Sequence, residues 1–312
     1  MSEPSDKTPR SPADEPPGKL RQSYTEGFSH QSVVEKRTDI QGRILAEAKS
    51  LQVRLALDEN EIRASQALRY RVFYEEMSAK PTPDMAALLR DYDAYDDYTD
   101  HLLVIDTTRT GDEAVVGSYR LLRQEVADRH SGFYSVSEFD IAPMLEGALG
   151  PRHSRDTQFL ELGRSCVAKE YRSNSTIQLL WRGITAYVLH HRIGLMFGCA
   201  SLEGTDPDKL ALPLSFLHHN FGGEPPFYVR ALPDQYVEMN RMAKDDIDMK
   251  AALKTLPPLV KGYLRLGCFI GDGAVVDEQF GTTDVCIILP VERISDRYVK
   301  RFEKDANAAI KE

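Results

Sequence analysis

The sequence predicts an α+β fold, a mixed α/β arrangement around one sheet, and three observations point to it. Short apolar runs early in the chain have strand length, and two of them pair as a hairpin. A strand, a helix and a second strand follow one another between Phe159 and Ala200. Strand-length runs such as Val285 to Leu289 then close the chain. At 312 residues and 42% hydrophobic, the chain can bury a substantial core.

Taken in order, residues 1–40 are rich in Pro, Ser, Asp and Lys with no apolar signal core, so they read as disordered and not as a secretory leader. A single domain is expected over 41–312. Leu51, Val53, Leu55 and Leu57 alternate on one side of a strand. Asn60 offers a cap for a helix in which Ala64, Ala67, Leu68 and Val72 recur at helical spacing. Pro81 and Pro83 break that helix, and an acidic, Tyr-rich segment leads to His101–Ile105. A turn at Thr110–Asp112 joins this strand to Ala114–Leu122 as an antiparallel hairpin. Phe159–Ala168 reads as a strand, a helix starts near Ser175, and Ile193–Ala200 reads as a buried strand. A Pro- and Gly-rich connection, a short helix after Pro258 and a strand over Asp284–Val291 complete the pattern.

Composition excludes several functions. With 39 basic and 48 acidic residues, the net charge of -9 argues against nucleic acid as a partner. No run approaches the roughly 20 apolar residues of a membrane-spanning helix, although a peripheral contact needs only a small face. The four cysteines stand far apart in apolar surroundings, which suits free thiols in a reducing, cytoplasmic setting. Hydrolase and metalloprotease motifs (G-x-S-x-G, H-E-x-x-H) are missing.

The charges embedded in predicted elements are the candidates for chemistry. Glu161 and Arg164 sit inside an apolar strand, where a charge is costly unless paired or used. Positions three apart face opposite ways on a regular strand, so both reach one cleft only across a bulge, for which Gly163 is suited. The acidic segment offers Asp91, Asp93 and Asp96, readable as a solvated loop, as a pocket for an amine, or as a metal site lacking the glycine turn of a calcium loop. No metal is expected. Arg69 and Arg120 gain meaning only in combination with these acids. The strand-to-helix turn at Val167–Leu180 points backbone N–H groups at an anion, but Ser173, Ser175 and Ile177 stand where a phosphate cradle would have glycines.

The string V-x-x-E-Y-R-S-N-S-T-I resembles the core motif of GNAT acyltransferases with its glycines replaced. R-x-x-x-F (Arg69, Phe73), D-x-D-x-Y-D (Asp91, Asp93, Asp96), V-V-G-x-x-R-L-L and E-L-G-R (Glu161, Arg164) run in the order seen in acyl-homoserine-lactone synthases. The longer strings DHLLVID, FLELGRSCV, YVLHHRIGLMFGCAS and KGYLRLGCFIGDGAVVDEQFGTTDVCI resemble the ornithine-lipid N-acyltransferases, a likeness that spans Leu51 to Val299. It implies a GNAT-like fold and transfer of a 3-hydroxyacyl group from acyl carrier protein to the α-amine of ornithine, giving a lyso-lipid. No cofactor is implied, since acyl-phosphopantetheine is itself the substrate. The expected site is Glu161 as general base with Asp96 and Arg164 as further catalytic residues. Arg69, Phe73, Asp93, Arg120 and Arg172 would bind substrate, and the backbone at Cys166 and Val167 would hold the oxyanion. Alternatives are a lactone synthase using S-adenosylmethionine, the same reaction on glutamine or another amino acid, and a non-enzymatic hemolysin-like protein.

Overall fold

The computed structural model describes residues 39–150, 153–154 and 156–294. The expectation of disorder over 1–40 therefore falls outside the described residues except for Asp39 and Ile40. Ile40 is fully buried in the main core, so ordered chain begins at least one residue before the expected boundary.

Strands β1 (Ile44–Ala48) and β2 (Leu51–Leu55) form the first hairpin. Helix α1 (Glu59–Tyr70) follows, with the Asp58 side chain accepting from the Glu61 amide. The cap is thus Asp58, whose extended backbone frees its carboxylate to turn back, while Asn60 already lies inside the helix. Leu57, expected on the strand, lies past its end and is exposed. The chain continues α1 as a π-helical turn over Arg71–Glu76, then forms α2 (Pro83–Leu88) and the expected hairpin of β3 (Asp100–Asp106) and β4 (Val115–Arg123).

A loop region containing α3 (Gln124–Ala127), β5 (Phe139–Asp140) and α4 (Ala142–Gly147) leads to the strand-helix-strand unit. This comprises β6 (Gln158–Val167), α5 (Asn174–His190) and β7 (Ile193–Glu203). After it come α6 (Ala211–Phe221), β8 (Arg230–Ala231), α7 (Met249–Thr255) and α8 (Pro258–Leu266). A last hairpin joins β9 (Phe269–Asp277) to β10 (Thr282–Pro290). Several of these elements went unanticipated, among them α6, β9 and β1. Pro213 hides α6 but sits in its first turn, where a missing N–H costs nothing. Gly271 and Gly273 hide β9, and β1 is short with only two buried residues.

The sheet order is β1-β2-β3-β4-β6-β7-β10-β9-β8-β5, with β6/β7 and β8/β9 parallel and the other pairs antiparallel. The ladder between β6 and β7 runs only from Gln158 opposite Ile193 to Glu161 opposite Phe197. Beyond it the strands fork, β6 staying with β4 as far as Val167 and β7 with β10 as far as Glu203. Gly198 stands at the vertex with φ +155°, where a Cβ would overlap the Leu162 carbonyl oxygen. Only glycine allows that approach.

Side-chain alternation divides the sheet's two faces. The main core, with Leu102, Leu121, Leu160, Met196 and Ile287, lies under α5, α6 and α8. On the other face two smaller apolar clusters form, one under α1 around Leu103 and Cys166 and one around Phe159, Phe197 and Ile288. A charged belt occupies the space between those two clusters.

Candidate active site

The register of β4 against β6 places Ser118 opposite Cys166 but Arg120 opposite Gly163, so β6 carries one extra residue. The bulge lies in the expected place. Its left-handed residue, however, is Arg164 at φ +47°, not Gly163. A non-glycine there is strained by about 1–2 kcal/mol and needs side-chain anchors to hold it. Arg164 has them: Nε lies 3.3 Å from Asp91, Nη2 donates to Asp93 at 3.2 Å, and the guanidinium sits between the rings of Tyr134 and Phe280.

Three arginines and three aspartates interlock here. Arg69, fully buried at the end of α1, donates to both oxygens of Asp96 at 2.8 and 2.7 Å and pairs through Nε with Asp91 at 2.8 Å. Asp96 also closes a capping box with Asp93 on the Ala94–Asp97 turn. Burial alone would push the Asp96 carboxyl up, but the Arg69 charge and hydrogen bonds outweigh it and hold the group well below the usual carboxylate range. Arg120 donates to Asp93 at 2.5 Å and lies over the Tyr95 and Tyr134 rings. Asp93 retains the most exposure of the three acids, with 24% of its side chain open.

Glu161 lies on the same face, one step along β6 from this cluster. Its oxygens accept from the Tyr134 and Ser135 amides at 2.7 Å each and from Ser135 Oγ at 2.5 Å. Burial raises its pKa above the ordinary glutamate value, and those three donors and Arg120 only partly offset that. Tyr134 joins the two groups, since its amide holds Glu161 while its ring lies against Arg120 and Arg164. Ser135 leads further, at 3.5 Å from the Cys199 thiol, which donates to Glu138 at 3.2 Å.

The remaining expected residues sit at the rim. Phe73, on the π-helical turn, packs edge-on against Phe280 at 5.6 Å. Cys166 is buried with its thiol pushed up to about 12, so its side chain is an inert apolar filler. Its neighbour Val167 is capped by Arg172, whose Nε donates to the Val167 carbonyl at 2.9 Å and whose Nη2 reaches Glu76. At the start of α5 the Ser173 hydroxyl takes the Thr176 amide for itself and contacts Ser175 and Thr176 hydroxyls at 2.8 and 3.0 Å.

Tyr134, Ser135, Glu138 and Asp284 were not anticipated. The first three lie on or beside a single 3-10 turn over Tyr134–Ser137, too short to show periodicity, and Asp284 is one charge in an apolar strand, the same signal that marked Glu161. Glu138, Asp277 and Asp284 are all buried and each places an oxygen within 4.8 Å of the others, a donor set suited to a hard cation or an ammonium group. Burial pushes Asp284 up to about 6, with Asp277 adding to the rise. All four cysteines are free thiols, and no helix of the described residues is long and apolar enough to cross a membrane.

A forked sheet, a bulged strand beside the fork and a buried glutamate on that strand define an acyltransferase of GNAT type. The sequence profile of the acetyltransferase (GNAT) domain matches residues 68–182. The chain is 49% identical over 281 residues to the L-ornithine N(alpha)-acyltransferase of Rhizobium meliloti (strain 1021), covering 89% of this chain and 92% of that one. It is 51% identical over 270 residues to the L-ornithine N(alpha)-acyltransferase of Brucella abortus (strain 2308), covering 86% and 94%. The chain belongs to the L-ornithine N(alpha)-acyltransferase family. Among solved structures it is similar to the acyl-homoserine-lactone synthase LasI, with a TM-score of 0.41 and 13% identity over 77% of this chain and 90% of that one. Another is FeeM, an N-acyl amino acid synthase from uncultured soil microbes, at 0.39 and 12% over 78% and 91%.

Proposed function

We propose that the protein transfers a 3-hydroxyacyl group from acyl carrier protein to the α-amine of ornithine, forming a lyso-ornithine lipid. The observation that carries the chemistry is Glu161, buried beside the fork with a raised pKa and a hydroxyl at 2.5 Å. A base works best when its pKa lies near the operating pH, and burial moves this carboxyl in that direction. Ser135 Oγ takes a proton from the attacking amine as it passes its own to Glu161. The amine nitrogen then bonds to the thioester carbonyl carbon, and the thiolate leaves with the carrier's phosphopantetheine arm. The edge of β6 past Glu161, released from β7 at the fork, presents backbone N–H groups to the developing oxyanion.

The names of the relatives support ornithine. So does the acidic wall of Glu138, Asp277 and Asp284 beyond Ser135, which favours an acceptor with a second ammonium group. A carrier-linked donor is supported by the start of α5, where the Ser173 hydroxyl takes the Thr176 amide and side chains stand where a coenzyme A diphosphate would need a glycine cradle. Asp96, with both oxygens taken by Arg69, is a positioning residue in this scheme, and the more open Asp93 faces the acceptor. Docking at the inner face of a membrane, where the product's acyl chain would partition, fits the same reading.

The test is direct. Purified protein with 3-hydroxyacyl carrier protein and a panel of amino acids should yield N-acylornithine by mass spectrometry. Glu161→Gln should lower kcat by about 10²–10⁴. Product formed only with S-adenosylmethionine, or a folded Glu161→Gln variant at wild-type rate, would overturn the scheme.

A further inference from the structure

Two helices on the main-core side of the sheet carry a surface that runs against the chain's net charge of -9. No acid stands between Asp248 and Asp272, and that stretch holds Lys250, Lys254, Lys261 and Arg265. Lys250 and Lys254 are one turn apart on α7, Lys261 and Arg265 one turn apart on α8, and the Lys261 ammonium donates to the Lys254 carbonyl at 3.4 Å. The four cations therefore form one stripe, and among the described residues none of them is ion-paired with a carboxylate. Asp248, which accepts the Lys250 and Ala251 amides, and the exposed Asp245 and Asp246 bound the stripe before α7.

Beside the stripe lies an apolar ridge. Ala252 and Leu256 face the main core, which leaves Met249 and Leu253, also one turn apart, on the shoulder of α7 between its buried side and its lysines. They are 48% and 42% exposed. A lone exposed apolar side chain is ordinary, whereas a pair next to a stripe of unpaired cations marks a contact surface. The other run of exposed apolar residues, Met77, Leu88 and Leu89, has Glu75, Glu76 and Asp84 in and beside it and lacks this charge pattern. Val260, Tyr263 and Leu266 form the buried side of α8, and Tyr263 lines the narrow cavity at the fork.

We propose that this surface rests on an anionic lipid bilayer, with Met249 and Leu253 entering the headgroup layer and the four cations against lipid phosphates. Charge complementarity carries the argument. Physiological salt screens exposed charges beyond about 8 Å, so the distant acids that make the chain net negative do not reach this face. Each cation close to an anionic membrane contributes a gain of about fivefold in affinity. The cations alone suit any acidic surface. The ridge beside them selects a lipid one, since lysine stems lie along inserted apolar side chains and keep their ammonium groups at the phosphates. The inference rests on the acyl-transfer reading only for its purpose, the release of a single-chain lipid next to a bilayer, because binding is measured without turnover.

The experiment sediments the full-length protein with vesicles of phosphatidylcholine alone or mixed equally with phosphatidylglycerol, at low and at high salt. Wild type should bind the mixed vesicles at least about tenfold more tightly than the neutral ones and lose most of that preference at high salt. The double variant Lys250→Gln, Lys254→Gln should bind the mixed vesicles about ten- to thirtyfold more weakly. Met249→Gln, Leu253→Gln should bind them about three- to tenfold more weakly. All four positions are exposed, so both variants should melt within about 2 °C of wild type. Wild type binding the two vesicle types equally, or both variants binding as wild type does, overturns the proposal. So does a wild type that ignores vesicles while its variants lose acyl carrier protein in a pull-down, which assigns the stripe to the carrier, or lose a dimer on gel filtration, which assigns it to a second copy. A wild type that binds the mixed vesicles as expected but acylates no amino acid overturns the acyl-transfer reading and leaves the lipid surface standing.

Discussion

Asp96→Ala should destabilise the protein by about 3–5 kcal/mol, because it leaves the Arg69 charge buried with half of its compensation gone. Arg69 has no exposure, and Asp96 supplies the two carboxylate contacts on its Nη atoms, at 2.8 and 2.7 Å, beside an Nη2 donation to the Asp91 backbone carbonyl at 2.6 Å. Contacts of that kind are worth about 1.5–3 kcal/mol each. Asp91 keeps its 2.8 Å pairing with Nε, which holds the loss near the lower end of the range. The variant also breaks the capping box with Asp93, freeing the turn that presents Asp93 to Arg120 and Arg164. Urea unfolding followed by circular dichroism should show a lower midpoint at unchanged slope, and Tm should fall by roughly 6–12 °C. The companion Arg69→Met, Asp96→Leu double variant should lose at least about 1 kcal/mol less than the sum of the two single losses, since neither charge is then stranded. A single Asp96→Ala loss below about 1 kcal/mol would refute the view that the pair is a buried, mutually dependent unit.

Other outcomes follow from the same geometry. Gly198→Ala should cost more than about 3 kcal/mol or prevent folding, since its Cβ meets the Leu162 carbonyl, whereas Gly163→Ala, with open space at its Cβ, should melt within about 2 °C of wild type. Asp284 has a folded pKa of about 6 against 3.8 when exposed, so the folded state binds its proton more tightly. Stability from this group is full below about pH 4 and lost as pH rises through about 6. Asp284→Asn should therefore gain about 1–3 kcal/mol at pH 8, a gain that fades toward pH 4 in urea titrations. The kcat profile of wild type should rise with pH through an ionisation above the ordinary glutamate value, and Glu161→Gln should abolish that limb. An unchanged profile in that variant would remove Glu161 as the base.

Sequence by itself determined the hairpin of β3 and β4, the strand-helix-strand unit and the exceptional status of Glu161 and Arg164. Periodicity is a local property, and a charge within an apolar strand stands out without any knowledge of neighbours. It also located the bulge, because two such charges three residues apart can share a face only if the strand gains a residue. Tertiary structure decided which residue bends there: Arg164 takes the left-handed backbone because Asp91, Asp93, Tyr134 and Phe280 converge on its side chain from distant segments. The partners of Asp96 were undecidable from spacing, since the Arg69 guanidinium and the Asp96 carboxylate meet only after α1 packs on the sheet. Tyr134 and Ser135 were invisible for the same reason, being loop residues whose amides acquire meaning from the carboxylate of Glu161 on another element. Pairing and burial are relations between remote parts of the chain, and only the folded molecule brings those parts together.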